Sequence, residues 1–271
     1  MSIITLTTDF GTSDPFVGLM KGVILGIAPK ASIVDLSHEL PPQDLVAACL
    51  ALEATIDYFP TGSIHMAVVD PGVGTSRAGV AVKTSRYFYV GPDNGLFTTV
   101  VKRDSLISAF KLTNTAYHLH PTSSTFHGRD VFAPVAAHLA NGVPIDQLGE
   151  PNSNLTKCTL PQPRRDGDAL EIHVIHVDHF GNLVTDLTVS MLAQWENETT
   201  GQEVAIRIGD QKIFGIDLTF ADVPTGSPLA YIGSTGRLEI AIRNGNAAQV
   251  FNVNRGYLIQ LLHTPRDEQL G

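Results

Sequence analysis

The sequence predicts two domains of different class: an α/β N-terminal domain with a mostly parallel central sheet, and a small all-β barrel C-terminal domain. Three observations carry that expectation. Across the first ~155 residues, apolar runs of strand character alternate with runs of helical period, the pattern of βαβ units. At PQPRRDGD (161–168) prolines, a tight charged cluster and a glycine coincide, which is the composition of a linker. Beyond it helical patterns almost vanish and short strand-like runs recur between Gly, Asn and Asp turns. The expected boundaries are therefore 1–160, a linker at 161–168, and 169–271.

IITLTT (3–8) reads as the first strand, and DPFVGLMKGVILGIAP (14–29) as a helix that Pro29 terminates. IVDLS (33–37) is the second strand. Asp44 is placed to cap a helix over residues 45–59, with Pro60 and Gly62 as stop signals. Strands are expected at 63–69, 79–85 and 87–92, then a short helix at 94–101 and a strand at 105–112. Asp130 opens the last helix, through residues 131–142. Helices between strands imply a mostly parallel sheet in the centre. In the second half the strand-like runs are LEIHVIHV, NLVTDL, EVAIRIG, QKIFGIDL, SPLAYIG, RLEIAIR and YLIQLLH.

Composition narrows the function. A 43% hydrophobic and 17% charged chain of 271 residues buries a sizeable core. Net charge is −9 and no Lys/Arg run exceeds a pair, so a nucleic-acid partner is not expected. The two cysteines, Cys49 and Cys158, make neither a disulfide framework nor a zinc ribbon, and HExxH is absent. The N-terminus begins a strand at once with no basic leader, and no apolar run approaches the roughly 20 residues a bilayer needs. A soluble, cytoplasmic protein with no membrane partner is expected.

Chemistry concentrates in two stretches. In VVDPGVGTSR (68–77) a buried strand delivers Asp70 to its end; Pro71, Gly72 and Gly74 then force a turn that Arg77 closes. FHGRD (126–130) sets His127 beside a glycine at the mouth of a helix. Strand ends of this kind are where α/β folds place ligands. An acid, a guanidinium and an imidazole together can orient and polarise a water. Asp9, at the end of the first strand, suits either a ribose diol or a helix cap. Asp178, Phe180 and Asn182 in VDHFGNLVTDL suit an ammonium, a stacked base and a purine edge, although a plain hairpin turn explains DHFGN equally well. The pairs His118/His120 and His173/His176 lack accompanying carboxylates or cysteines, so no metal is expected. Neither GxGxxG nor a P-loop is present.

Taken together, TTDFGTSDPFVG, VVDPGVGTSR, VGPDNGLF, FHGRDVFAPVAAHLA, DHFGNLVTDL and GSTGRLEIAIRNGNAA resemble the S-adenosyl-L-methionine hydroxide adenosyltransferase family, relatives of the fluorinase and chlorinase that use the same substrate. The resemblance runs from residue 3 to about 250. It implies hydrolysis of S-adenosyl-L-methionine to adenosine and L-methionine, with no cofactor, in a homotrimer whose sites lie between the N-domain of one subunit and the C-domain of its neighbour. It assigns water activation at the ribose 5′ carbon to Asp70, Arg77 and His127. It also implies that Asp9 holds the ribose diol, Asp178 the ammonium and Asn182 the adenine edge. Phe126, Gly128 and Phe180 belong to the substrate-binding set, Ser234 to the methionine end, and Asn244, Asn246 and Ala247 to the surroundings of adenine.

The fluorinase pattern has Tyr where Asp70 stands and Tyr-Ser where His127-Gly128 stands; Phe16 and Gln43 replace a Ser and a Trp. A carboxylate repels a halide, which favours the hydrolase. Gly128 is chlorinase-like, so a chloride-using halogenase is one alternative, and a non-catalytic binding protein for the same ligand is another.

Overall fold

The computed structural model describes residues 2–197 and 203–264, which fall into two compact units, Met1–Thr159 and Leu160–Gly271. In the first unit, β1 (Ile3–Thr8), β2 (Ser32–Ser37), β3 (Ile64–Val68), β4 (Gly79–Thr84), β5 (Phe88–Pro92) and β6 (Leu106–Lys111) make one sheet in the order β2-β1-β3-β5-β4-β6. The pairings β1–β2, β1–β3 and β3–β5 are parallel, whereas β4 runs antiparallel to β5 and to β6. The sheet is thus mixed, where a mostly parallel one was expected. The reason is the short connection between β4 and β5: a parallel crossover needs a dozen or so residues, and a tight turn permits only a hairpin.

Helices α1 (Phe16–Ile27) and α4 (Ala133–Ala140) cover one face, packing Met20, Ile24 and Val135 on Ile4, Leu6, Met66 and Val68. On the other face α2 (Leu45–Glu53) and α3 (Thr98–Arg103) pack Leu52 and Val100 on Ala67, Val69, Tyr87 and Tyr89. Strand β3 is buried throughout because its alternate residues enter opposite faces, Ile64, Met66 and Val68 in one core and Ala67 in the other. Each such fully buried large side chain stabilises the fold by roughly 1.5–3 kcal/mol.

Three expected helices are displaced. Asp44 does cap α2, its carboxylate accepting from the Ala47 amide at 3.0 Å. The helix nevertheless ends at Glu53, and the Tyr87 hydroxyl takes the carbonyls of Ile56 and Phe59 that a longer helix would use. Gly95 at φ +98° delays α3 to Thr98. The last helix starts early, as a single π-turn over Gly128–Phe132 that runs into α4, so Asp130 lies inside it and does not open it.

The second unit is an antiparallel sheet of β7 (Arg164–Asp166), β8 (Ala169–Val177), β9 (Leu183–Thr188), β10 (Glu203–Ile208), β11 (Gln211–Phe214), β12 (Pro228–Ile232), β13 (Arg237–Ile242) and β14 (Leu258–Thr264). The order is β11-β10-β14-β8-β9-β13-β12, with β7 beside β8. A bridge between Asp217 and Tyr231 nearly closes it into a barrel around Leu170, Ile172, Leu183, Ile206, Leu238, Ile240 and Leu261. Strand β7 lies within the stretch expected as a linker; it turns at Gly167 (φ +59°) and pairs back on β8. The barrel also carries two helices that the strand pattern hid, α5 (Val189–Glu196) and α6 (Ala247–Phe251). Among the described residues no helix is long and apolar enough to cross a membrane.

Candidate active site

Strands β1 and β3 are parallel neighbours with Thr8 beside Val68, so Asp9 and Asp70 leave the same carboxyl edge of the sheet. After Asp70 the chain folds back through the bonds Val73 N–H to Asp70 O (3.3 Å) and Thr75 N–H to Gly72 O (3.1 Å). Gly74 has φ +78°, and a Cβ there would lie 2.9 Å from the Ser124 carbonyl oxygen. Only glycine satisfies both the torsion and the approach, and the fold-back aims Arg77 at Asp70.

Arg77 Nε donates to both Asp70 oxygens at 2.9 Å, and Nη2 donates to Oδ2 as well. The same Nη2 lies 2.8 Å from His127 Nδ1. A guanidinium has no acceptor, so Nδ1 must accept, and the neutral imidazole carries its proton on Nε2. Burial, then the Arg77 charge, hold the His127 pKa below its usual 6.5 against the weaker opposing pull of Asp70 and Asp130. At neutral pH His127 is therefore an uncharged donor through Nε2–H. Phe132 supports the guanidinium from its ring face, 5.3 Å from centroid to Cζ.

Gly128 is packed rather than open: a Cβ would meet Met20 Sδ at 3.0 Å, Phe126 at 3.3 Å and Phe10 at 3.4 Å. Phe10, Phe16 and Phe126 meet edge to face, with centroids 5.4–6.1 Å apart. Asp130 is buried, paired with Arg129 at 2.6 Å and accepting from Ser123 N at 2.8 Å, which ties the π-turn to the preceding loop. Asp9 Oδ2 accepts from the Gln43 backbone N–H at 2.7 Å. Gln43 is held at φ +62°, a conformation that is strained for a residue with a side chain. Asp9 Oδ1 takes no hydrogen bond among the described residues.

In the second unit residues 178–182 join β8 to β9, and the hairpin reading of DHFGN is correct: Asp178 N–H bonds Asn182 O at 3.0 Å, with Gly181 at φ +86°. The Asp178 carboxylate accepts from Phe180 N (2.9 Å), Asn182 N (2.8 Å) and Asn182 Nδ2 (2.8 Å). The Asn182 amide oxygen takes no hydrogen bond among the described residues, and Phe180 is 73% exposed. Asn246 packs against Gly181, where a Cβ would be 2.1 Å from its Cγ, and its oxygen caps α6 through Gln249 N at 2.8 Å. Ala247 is buried at the start of α6, whereas Asn244 (φ +56°) and Ser234 are exposed on turns after β13 and β12.

Within the first unit, then, Asp70, Arg77 and His127 meet, with Phe126 and Gly128 beside them and Asp9 along the same edge. Asp178, Phe180, Asn182 and Asn246 gather around one hairpin of the second. Sequence reasoning missed the apolar support by Phe10, Met20 and Phe132, which looks like ordinary core in the chain, and a buried acid on β13, Glu239. Of the other histidines, His173 pairs with Asp186 at 3.2 Å. No three His, Cys, Asp or Glu side chains converge as metal ligands among the described residues.

Residues 4–149 match the family described as SAM hydroxide adenosyltransferase N-terminal domain, and residues 172–260 its C-terminal counterpart. A protein of Thermus thermophilus named (R)-S-adenosyl-L-methionine hydrolase is 40% identical over 97% of this chain and 100% of its own. A protein of Actinoplanes sp. named fluorinase is 29% identical over 95% of this chain and 96% of its own. The crystal structure of an uncharacterized conserved protein from Thermotoga maritima superposes with a TM-score of 0.87 at 33% identity, covering 97% of this chain and 100% of that one.

Proposed function

The chain belongs to the SAM hydroxide adenosyltransferase family, and from that premise we propose that it is an S-adenosyl-L-methionine hydrolase that forms adenosine and L-methionine. The observation that carries the chemistry is the Arg77 guanidinium, which donates at once to Asp70 and to His127 Nδ1. The sulfonium is already a good leaving group. Water oxygen bonds to the ribose 5′ carbon as the carbon–sulfur bond breaks, sulfur keeps the electron pair as a neutral thioether, and the spare proton passes to solvent. What remains for the protein is to align the water in line, about 3 Å from carbon, and to strip its solvent.

In this mechanism His127 donates Nε2–H to the water oxygen and fixes its position. Its Nδ1 lone pair is engaged by Arg77, so it acts as an orienting donor and not as the base. Asp70 supplies the negative field that attracts a polar water and repels a halide. Asp9 holds the ribose diol through its free oxygen, Asp178 faces the ammonium, and Asn182 and Phe180 meet adenine, with Ser234, Asn244, Asn246 and Ala247 completing the surroundings. No cofactor enters the reaction as proposed. The packing of Gly128 against Met20 and two phenylalanines gives that glycine a structural reason for being small, which weakens the chlorinase alternative.

We further propose a cytoplasmic homotrimer, with each site completed by the first unit of one copy and the second unit of the next. Exposed Phe180, Leu218 and Val250 on the second unit support an assembly that covers apolar surface. Chromatography of the purified protein incubated with S-adenosylmethionine, with and without chloride, tests the activity. Equal amounts of adenosine and methionine, independent of chloride, are expected. A chloronucleoside, or bound substrate without product, refutes the hydrolase.

A further inference from the structure

Asp9 sits on the turn after β1, and the segment after β2 holds that turn. The Gly11 N–H donates to the His38 carbonyl at 2.7 Å, with Gly11 at φ +66°. The Phe10 N–H donates to Thr8 Oγ1 at 3.2 Å, and the same oxygen lies 2.8 Å from His38 Nδ1. Thr8 is 1% exposed and His38 5%, so this contact is made out of water. At the far end of the segment the Gln43 N–H reaches Asp9 Oδ2. Residues 38 and 43 thus brace Asp9 from both sides.

The register of β1 on β2 brings Thr8 and His38 together. Leu6 pairs with Asp35 and Thr7 with Ser37, so β2 carries one extra residue, Leu36. Without it Thr8 would lie level with Ser37; with it, Thr8 lies level with His38. Bulges commonly re-aim side chains beside functional sites. His38 Nε2 lies 3.1 Å from Asp35 Oδ1, and Lys21 Nζ holds the other Asp35 oxygen at 2.5 Å. Although burial works the other way, bonds to Lys21 and His38 hold the Asp35 pKa below its usual value. An ionised carboxylate only accepts, so in the neutral imidazole Nε2 carries the proton and Nδ1 accepts. The Thr8 hydroxyl therefore donates to Nδ1 and keeps a lone pair for the Phe10 N–H. Every hydrogen bond from Lys21 to the Asp9 turn then has one direction.

We infer that His38 is a positioning residue for the ribose end of the substrate. It acts without touching the ligand: through Thr8 and the Gly11 N–H it fixes the turn on which Asp9 stands, with Asp9 Oδ1 aimed before the diol arrives. Such preorganisation raises affinity because the ordering cost is not met at binding. The assignment rests on the reading of Asp9 as the residue that takes the ribose diol, and adds to it the group that holds Asp9 in place.

Titration calorimetry of wild type, Asp9→Ala and His38→Leu tests it, with adenosine and with 2′,3′-dideoxyadenosine, which lacks the diol. Wild type should prefer adenosine, and Asp9→Ala should lose that preference. His38→Leu keeps the bulk and loses the hydrogen bond; it should bind adenosine about tenfold more weakly and the dideoxy compound unchanged. His38→Asn, whose Oδ1 can still accept from Thr8, should recover part of the loss. If His38→Leu does not fold, Thr8→Val removes the same bond at nearly constant shape and should show the same selective loss. Equal weakening of both ligands leaves His38 a structural residue only and overturns the assignment, as does no change for either. If wild type binds neither compound or both alike, or if Asp9→Ala keeps the preference, the Asp9 reading falls and the assignment with it. Failure to turn over S-adenosylmethionine refutes the hydrolase alone, because the titrations involve no reaction and still decide His38.

Discussion

Arg77 organises the reactive end of the first unit by having donors and no acceptors. Its bonds to Asp70 and His127 settle the tautomer of an imidazole that in isolation could bear its proton on either nitrogen. His127→Ala should therefore lower kcat about a hundredfold by losing a positioned donor. His127→Asn, which can still offer N–H, should lose less, and initial rates of adenosine release separate the two. If His127→Ala kept full turnover, the orienting role would be wrong. Asp70, Arg77 and His127 were all legible in the chain as polar residues beside Gly-rich turns. Their direction of donation was not, because it depends on which atoms of residues 50 positions apart come within 2.8 Å.

Strand β3 shows what an element adds. The run SIHMAVV could be read as a buried strand, but His65 within it gave no sign of its surroundings. The ring is fully buried, bonds Thr5 Oγ1 through Nδ1 at 2.8 Å and stacks on Tyr89 with centroids 5.2 Å apart. Burial depresses its pKa from 6.5 to about 4, against a weaker upward pull from Asp104. Between those values the unfolded chain binds a proton that the folded chain refuses, so stability is complete above pH 6.5 and declines as the pH falls toward 4. The decline attributable to this one group is about 3 kcal/mol. Urea midpoints at pH 7 and pH 4.5 should therefore draw closer together in His65→Gln, which does not titrate. An unchanged gap between them would remove His65 as the source.

At the scale of the whole molecule, the proposed trimer makes each site the property of two chains. Asp70→Asn and Asp178→Ala subunits, each inactive alone, should recover about a quarter of wild-type activity when mixed and reassembled in equal amounts, since one site in four then joins two intact halves. A site contained in a single chain would recover nothing. The reassembled mixture assayed for adenosine gives the answer directly.

The two fold classes, nearly all the strands, the Asp44 cap and the order of the motifs were determined by the sequence itself, since hydrophobic period and turn chemistry act over a few neighbouring residues. Family membership was likewise legible, carried by six motifs in order. Tertiary structure decided the rest. It made the first sheet mixed through a hairpin between β4 and β5, began the fourth helix with a π-turn at Gly128, and used the oxygen of Asn246 as a helix cap. It also brought Glu239 against Gly233. In the chain that acid is one more polar residue in the alternation of RLEIAIR, as a solvated outer face would have. Its burial arises from the cross-strand register with Tyr231 and Val184 and from the turn that closes over it, and local pattern has no access to either.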